Sequence, residues 1–233
     1  MKPLILASRS PRRKELLTAA GLIFEVFPAS EEAETPIPRG SDVSPAEFVK
    51  LQARLKAEDV VKRMPGRNCL VLGCDTVAVL GSRRRPGGYQ ILGKPENRED
   101  ARRMLRQLSG SYHEVVSGIC LKNPAEPGFE MLDAVTTVLF MEEISDEMLE
   151  NYLNTGLWEG KAGAFGYQDG NDWLRVVSGS ETNIVGLPME RLMEFLSVQC
   201  KNTQCHTGQH LQPSEHCHFS KLYMSIRTMW KKE

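Results

Sequence analysis

Long apolar runs, an excess of one charge and a paired-cysteine framework are all missing from this sequence, and each absence removes a class of function. No apolar stretch approaches the roughly 20 residues of a membrane span, and the opening MKPLILAS is too short and too soon charged for a secretory leader. A soluble cytoplasmic protein with no membrane partner is expected. Lys and Arg number 29 against 30 Asp and Glu, so no global field draws the chain to nucleic acid. Any anion site must be local. Of the 6 cysteines, Cys69, Cys74 and Cys120 fall in apolar strand-like runs, where a reduced thiol behaves as a small buried hydrophobe. Walker, GxGxxG and paired zinc spacings are absent too, which removes the commonest sequence routes to nucleotide and metal binding.

What is present fits one catalytic domain with a cleft, the expectation for 233 residues. Residues 3–7 read as a buried strand, and Ser10-Pro11 as the N-cap and first position of a helix ending near Gly21. A second strand at 23–28 leads to an acidic loop. Ser44-Pro45-Ala46-Glu47 is a capping box opening a helix through Val61, with Phe48, Leu51 and Leu55 as its buried stripe. Residues 69–80 and 89–92 read as a hairpin around a turn-rich loop at 81–88. Asn97 caps a helix over 98–108, strands at 112–122 and 130–141 flank a Pro/Gly loop, and Ser145 caps a further short helix. A Gly-rich stretch at 156–170 precedes a strand at 173–177 and a helix at 188–196. This irregular alternation with a hairpin predicts an α/β fold with a mixed sheet.

Past Leu196 the composition turns Gln/His/Cys-rich and loses any period. The predicted division is therefore a domain over 1–196 and a poorly ordered tail over 197–233. Cys200, Cys205, His206, His210, His216, Cys217 and His218 match no standard zinc spacing. Within the tail, residues 223–230 are best able to form a short docking helix.

Four stretches carry chemistry. Ser8-Arg9-Ser10-Pro11-Arg12-Arg13 sets hydroxyls and three guanidinium groups where a strand turns into a helix N-terminus, a place suited to a phosphate chain. The alternative is a solvated basic turn, which Arg disfavours at a positive helix end unless an anion compensates. Asp75, alone in an apolar strand, requires a partner. A metal ion, a catalytic proton or a salt bridge to Lys94 would each serve. Glu31, Glu32 and Glu34 can converge on a magnesium ion shared with phosphates, or be an ordinary solvated loop. Lys56 sits on a charged helix, where a surface lysine is the plain reading. Finally, residues 160–168 interleave glycines with aromatics, so a base can lie against backbone while Gln168 reads its edge.

LASRSPRRKELL, GCDTV, ILGKP with a helix ending MLRQLSG, GKAGAFGYQ and SETNIVGLP resemble, in order and spacing, the Maf (septum-formation-inhibitor-like) family of nucleoside triphosphate pyrophosphatases over about residues 3 to 196. The resemblance implies a mixed α/β fold similar to inosine-triphosphate pyrophosphatases, with an elongated sheet, flanking helices and a cleft between two lobes. It also implies a homodimer, a divalent metal (Mg²⁺ or Mn²⁺) and hydrolysis at the α-phosphate. Carried over by motif, Ser8, Arg12 and Arg13 hold phosphates, Lys56 and Lys94 add charge, and Asp75 is the central acid, as metal ligand or water-activating base. Glu34, with Glu32 as its rival, is the second acid. Retained Thr76 and Gln168 resemble the thymidine/uridine triphosphate group, although Phe165-Gly166-Tyr167 departs from that group's usual Tyr, small residue, Ile. The rival reading is a nucleotide-binding regulator of cell division that does not turn its ligand over.

Overall fold

A computed structural model describes residues 2–37, 43–81 and 88–205, with side chains through Gln199. The expected turn at 82–87, His206, His210, His216, Cys217, His218 and the 223–230 segment lie outside the described residues.

Among the described residues the chain forms a seven-stranded mixed sheet with helices on its faces. β1 (Leu4–Leu6) lies parallel to both β2 (Phe24–Val26) and β3 (Leu70–Gly81), joined through α1 (Pro11–Ala19) and α2 (Pro45–Lys62). The remaining pairings are antiparallel: β3 with β4 (Tyr89–Leu92), β3 with β5 (Ser111–Asn123), β5 with β6 (Glu126–Met141), and β6 with β7 (Leu174–Ser178). α3 (Arg98–Leu108) and α4 (Asp146–Asn154) pack at the β4 end, while α5 (Glu181–Val185) and α6 (Met189–Cys205) close the fold.

The caps explain why the helices start where they do. Ser44, Asn97 and Ser145 each accept a bond from the backbone N–H three residues on, satisfying a donor that the helix itself cannot. Ser10 behaves otherwise: its side chain makes no cap bond, and α1 begins on Pro11. Two sequence boundaries move by several residues, and one helix is added. β6 starts at Glu126 because Asn123 pairs directly with Glu126 across a tight turn. α6 runs past Leu196 to Cys205, and α5, hidden in the SETNIV motif, is too short to show a period.

The buried face of α2 also differs from expectation. Leu51 is exposed, and the stripe is Phe48, Val49, Gln52, Ala53, Lys56, Ala57 and Val60. Two glycines decide this. A Cβ at Gly73 would collide with the Ala53 carbonyl, and one at Gly118 with the Val49 carbonyl, so the helix backbone rests directly on β3 and β5. Small residues rather than leucines face the sheet, and a lysine stem enters the contact.

β3 is the strand that makes a cleft. Its first part, through Leu72, pairs with β1, and its last part, from Ala78, pairs with β4. Between them residues 73–77 have only β5 as a sheet neighbour. Separate apolar clusters fill the two ends. One, with Leu6, Leu16, Leu72 and Leu192, packs around β1, α1 and α6; the other, with Leu92, Leu105, Leu139 and Trp173, packs around β4, α3 and α4. The C-terminal ends of β1 and β4 therefore both face the gap. No helix among the described residues is long and apolar enough to cross a membrane.

Gly118→Ala should cost about 2 kcal/mol of stability, as expected for overpacking. It should also lower activity, because α2 must rise off the sheet and carry Lys56 with it. Thermal melts and turnover of the variant check both, and a wild-type melting temperature would refute the close contact.

Candidate active site

The gap opens into a cleft of about 600 Å³ whose lining includes Ser8, Arg12, Arg13, Glu34, Lys56, Asp75, Thr76, Lys94 and Gln168. These nine residues, singled out from the sequence motifs, are thus brought to one cavity. Glu32 is not among the lining residues.

One wall is basic. Arg13 is buried at 8% exposure, and its acceptors are neutral: the Gly186 carbonyl at 2.8 Å, Ser8 Oγ at 2.9 Å and Thr76 Oγ1 at 3.3 Å. Arg12 donates to the Gly160 carbonyl at 2.9 Å. Among the described residues, Arg12, Arg13 and Lys94 form no ion pair with a carboxylate. Burial and the adjacent Arg13 push the Arg12 guanidinium below its ordinary value, against the opposing pull of Asp169 and Glu15. Two cations held close together on neutral acceptors are stabilised by an anion between or above them. Arg9 is different: it is 62% exposed and paired with Glu31 at 2.7 Å.

A second part of the lining is built around Lys56. Its Nζ lies 2.6 Å from Asp75 Oδ1 and 3.0 Å from Glu34 Oε1, at 8% exposure. The sequence expectation of a surface lysine, and of Lys94 as the salt-bridge partner of Asp75, is corrected here: Lys56 is buried by the close approach of α2, and Lys94 is exposed. Burial raises the Glu34 carboxyl, but the charge and hydrogen bond of Lys56, with Lys94 and Arg13 behind, more than offset it and hold Glu34 below the usual carboxylate range. Glu34 is also fixed mechanically. Gln52, one turn before Lys56 on α2, clamps the next peptide unit, accepting from the Thr35 N–H at 3.0 Å and donating to its carbonyl at 2.5 Å. Asp59, another turn along, receives Ser30 N–H at 2.9 Å. Neither Gln52 nor Asp59 stands out in the sequence. The available signal is a polar residue on the face that carries Ala53 and Ala57.

Thr76 points to the other side of β3 from Asp75. Its hydroxyl joins Ser117 Oγ at 2.8 Å and the Gly186 carbonyl at 3.2 Å, so it backs Arg13 and links it to β5. Ser117 in turn donates to the Asn183 carbonyl at 3.3 Å, and Asn183 is fully buried on α5. SETNIVGLP thus serves the site through its backbone, with the Gly186 carbonyl as acceptor for Arg13.

The third wall is the stretch at 160–170. Two short 3₁₀ turns, Ala162–Ala164 and Tyr167–Asp169, carry Gln168 at the cleft. The Gly163 N–H donates to the Gly93 carbonyl at 2.9 Å, tying the loop to the residue before Lys94. Phe165 is buried, edge-on to His113 with centroids 5.2 Å apart. Burial pushes His113 down to about 4, so this contact is to a neutral ring at neutral pH.

A mixed sheet broken by a cleft, lined both by the guanidinium groups of Arg12 and Arg13 and by two acids that share one buried lysine, defines a protein suited to hold a phosphate chain beside hard oxygen donors. The chain belongs to the Maf family: the Maf-like protein family matches residues 3–199. A dTTP/UTP pyrophosphatase of Rhodopirellula baltica is 50% identical over 195 residues, covering 83% of this chain and 80% of that protein. Proteins of the same name from Alkaliphilus metalliredigens and Anaeromyxobacter dehalogenans are 39% and 41% identical, covering 84% and 83% of this chain and 95% and 92% of theirs. A solved nucleoside-triphosphatase / dITP/XTP pyrophosphatase of Mycobacterium abscessus overlays 87% of this chain and 96% of its own at 17% identity and a TM-score of 0.38.

Arg13→Ala should lower kcat/KM for a nucleoside triphosphate by about 100-fold, the scale of losing one preorganised charge donor. Arg9→Ala, removing an exposed and already paired cation, should change it by less than about threefold. Steady-state kinetics of the two variants decide; equal losses would mean that the basic turn acts only as a diffuse field.

Proposed function

We propose that this protein hydrolyses nucleoside triphosphates to the monophosphate and pyrophosphate by attack of water at the α-phosphorus, with a preference for dTTP and UTP. The observation that carries the reading is that Arg12 and Arg13 line the same cleft as the Glu34–Lys56–Asp75 cluster. Support for the pyrimidine preference comes from the names of the relatives and from Gln168 at the cleft.

Ser8, Arg12, Arg13 and Lys94 would hold the phosphates, and Lys56 would add charge from the acidic wall. Their charge lets water approach a polyanion and stabilises the pyrophosphate as it departs. The residues also fit a divalent cation. Asp75 and Glu34 are hard oxygen donors brought together on Lys56 Nζ, and beside them phosphate oxygens would complete the shell of Mg²⁺ or Mn²⁺. When bound, such an ion supplies neutralisation of phosphate charge and acidification of water. Glu34 and Asp75 are the two groups placed to accept the proton of the attacking water. Glu34 is held ionised by Lys56 and is the more exposed of the pair, at 55% against 18%, so it is favoured as base and Asp75 as the metal-holding acid. The reading brings with it a cytoplasmic homodimer without a nucleic-acid partner.

A screen for pyrophosphate release over ordinary and modified nucleoside triphosphates with Mg²⁺ or Mn²⁺ tests activity and base preference together. Asp75→Asn should lower kcat by about 10³, the scale of losing the charge neutralisation a held metal ion supplies, with the fold retained since Glu34 still compensates Lys56. Tight nucleotide binding with no pyrophosphate from the wild type would instead favour the regulator.

We also propose that the division near Leu196 separates the catalytic unit from a peripheral tail, with α6 carrying the unit on to Cys205. Truncation after Cys205 should leave pyrophosphate release and the melting temperature within a few degrees of the full chain, because all lining residues of the cleft precede it. A much earlier melt, or zinc bound stoichiometrically by the full chain alone, would make the tail structural.

A further inference from the structure

We infer that Lys161, Asp169 and Tyr152 form a positioning device that fixes Gln168 for base discrimination; this rests on the pyrophosphatase reading above. Gln168 lines the cleft, and the residue after it is anchored. On one side Asp169 receives Lys161 Nζ on both carboxylate oxygens, one at 2.5 Å, and the Tyr152 hydroxyl at 2.7 Å. On the other, burial and then the charge of Glu181, the first residue of α5, raise the Tyr167 hydroxyl above its ordinary value.

The Lys161–Asp169 pair is 10% and 5% exposed. A buried pair of this kind adds little net stability and is better suited to specifying a geometry. The loop needs such specification. Ala164 adopts φ 65°, in the left-handed region that a residue with a Cβ disfavours by about 1–2 kcal/mol, and the intervening backbone is only two short 3₁₀ turns. Lys161 is neutralised by Asp169, so it supplies rigidity to the cleft rather than a free charge for phosphate. Burial first, and then Asp169, keep the Tyr152 hydroxyl protonated far above its ordinary value, so it remains a donor throughout the working range. Neither Asp169 nor Tyr152 lines the cleft.

The test measures pyrophosphate release from UTP and from GTP by the full chain with Mg²⁺, and inhibition by inorganic tripolyphosphate, which has no base. Asp169→Asn should reduce the UTP-over-GTP ratio of kcat/KM about tenfold, mainly through KM for UTP, the scale on which one lost polar contact changes discrimination. Its kcat should stay within about threefold, and tripolyphosphate inhibition should not change. Tyr152→Phe, which removes one hydroxyl and leaves the ion pair, should reduce the ratio about threefold and decides the matter if Asp169→Asn does not fold. A wild-type ratio in the folded variants, or an equal loss of kcat on both nucleotides, overturns the inference. A wild type that treats UTP and GTP alike overturns the pyrimidine reading and this inference together.

Discussion

An ammonium group taken out of water between two carboxylates is the interaction on which the rest of this site depends. Lys56 reaches Asp75 and Glu34 because α2 lies on the sheet at backbone distance, and it does so because Gly73 and Gly118 offer no side chain to keep it away. Desolvating a lysine costs several kcal/mol unless its charge is met. With Asp75 on β3 and Glu34 on the loop before α2, the same charge that satisfies the helix also draws two acids from distant parts of the chain to one point. α2 then holds the second acid in place through Gln52 and Asp59.

In the same cleft, the arginines follow a different rule. Arg13 is buried among neutral acceptors, each already fixed by its own neighbours: Gly186 at the end of α5, Thr76 on β3, Ser8 after β1. Its geometry is set before any ligand arrives, and its charge is left without a carboxylate. Two acids sharing one ammonium and cations without a carboxylate partner give the cleft a local polarity that the nearly neutral chain as a whole lacks. The break in pairing along β3 provides the room: β1 and β4 both stop short of residues 73–77, and the loops leaving them supply Ser8 to Arg13 from one end and Lys94 from the other.

Much of this was legible in the sequence where the physics is local. The capping residues Ser44, Asn97 and Ser145 announce their helices because the bond spans only three residues. The β3–β4 hairpin follows from two apolar runs around a turn, and buried Cys69, Cys74 and Cys120 follow from the strands that carry them. The site residues were legible as motifs, but not as partners. Lys94 is one of several partners the sequence offers Asp75, and of the expected α2 stripe of Phe48, Leu51 and Leu55 only Phe48 is buried. A helix that packs on glycines presents alanines and a lysine instead, and nothing in its own periodicity reveals what it rests on. α5 went unseen because five residues are too few to display a helical face.

The sequence by itself determined the elements, the local basic turn, the lone acid in an apolar strand and the family to which the chain belongs, since each depends on residues close together along the chain. Only the tertiary structure decided that Lys56 rather than Lys94 meets Asp75, that Glu34 rather than Glu32 reaches the cleft, and that Thr76 backs an arginine. Those choices depend on how near two backbones can come and on which side of β3 a residue faces. Such distances are set by contacts between residues far apart in the chain, where no spacing rule applies.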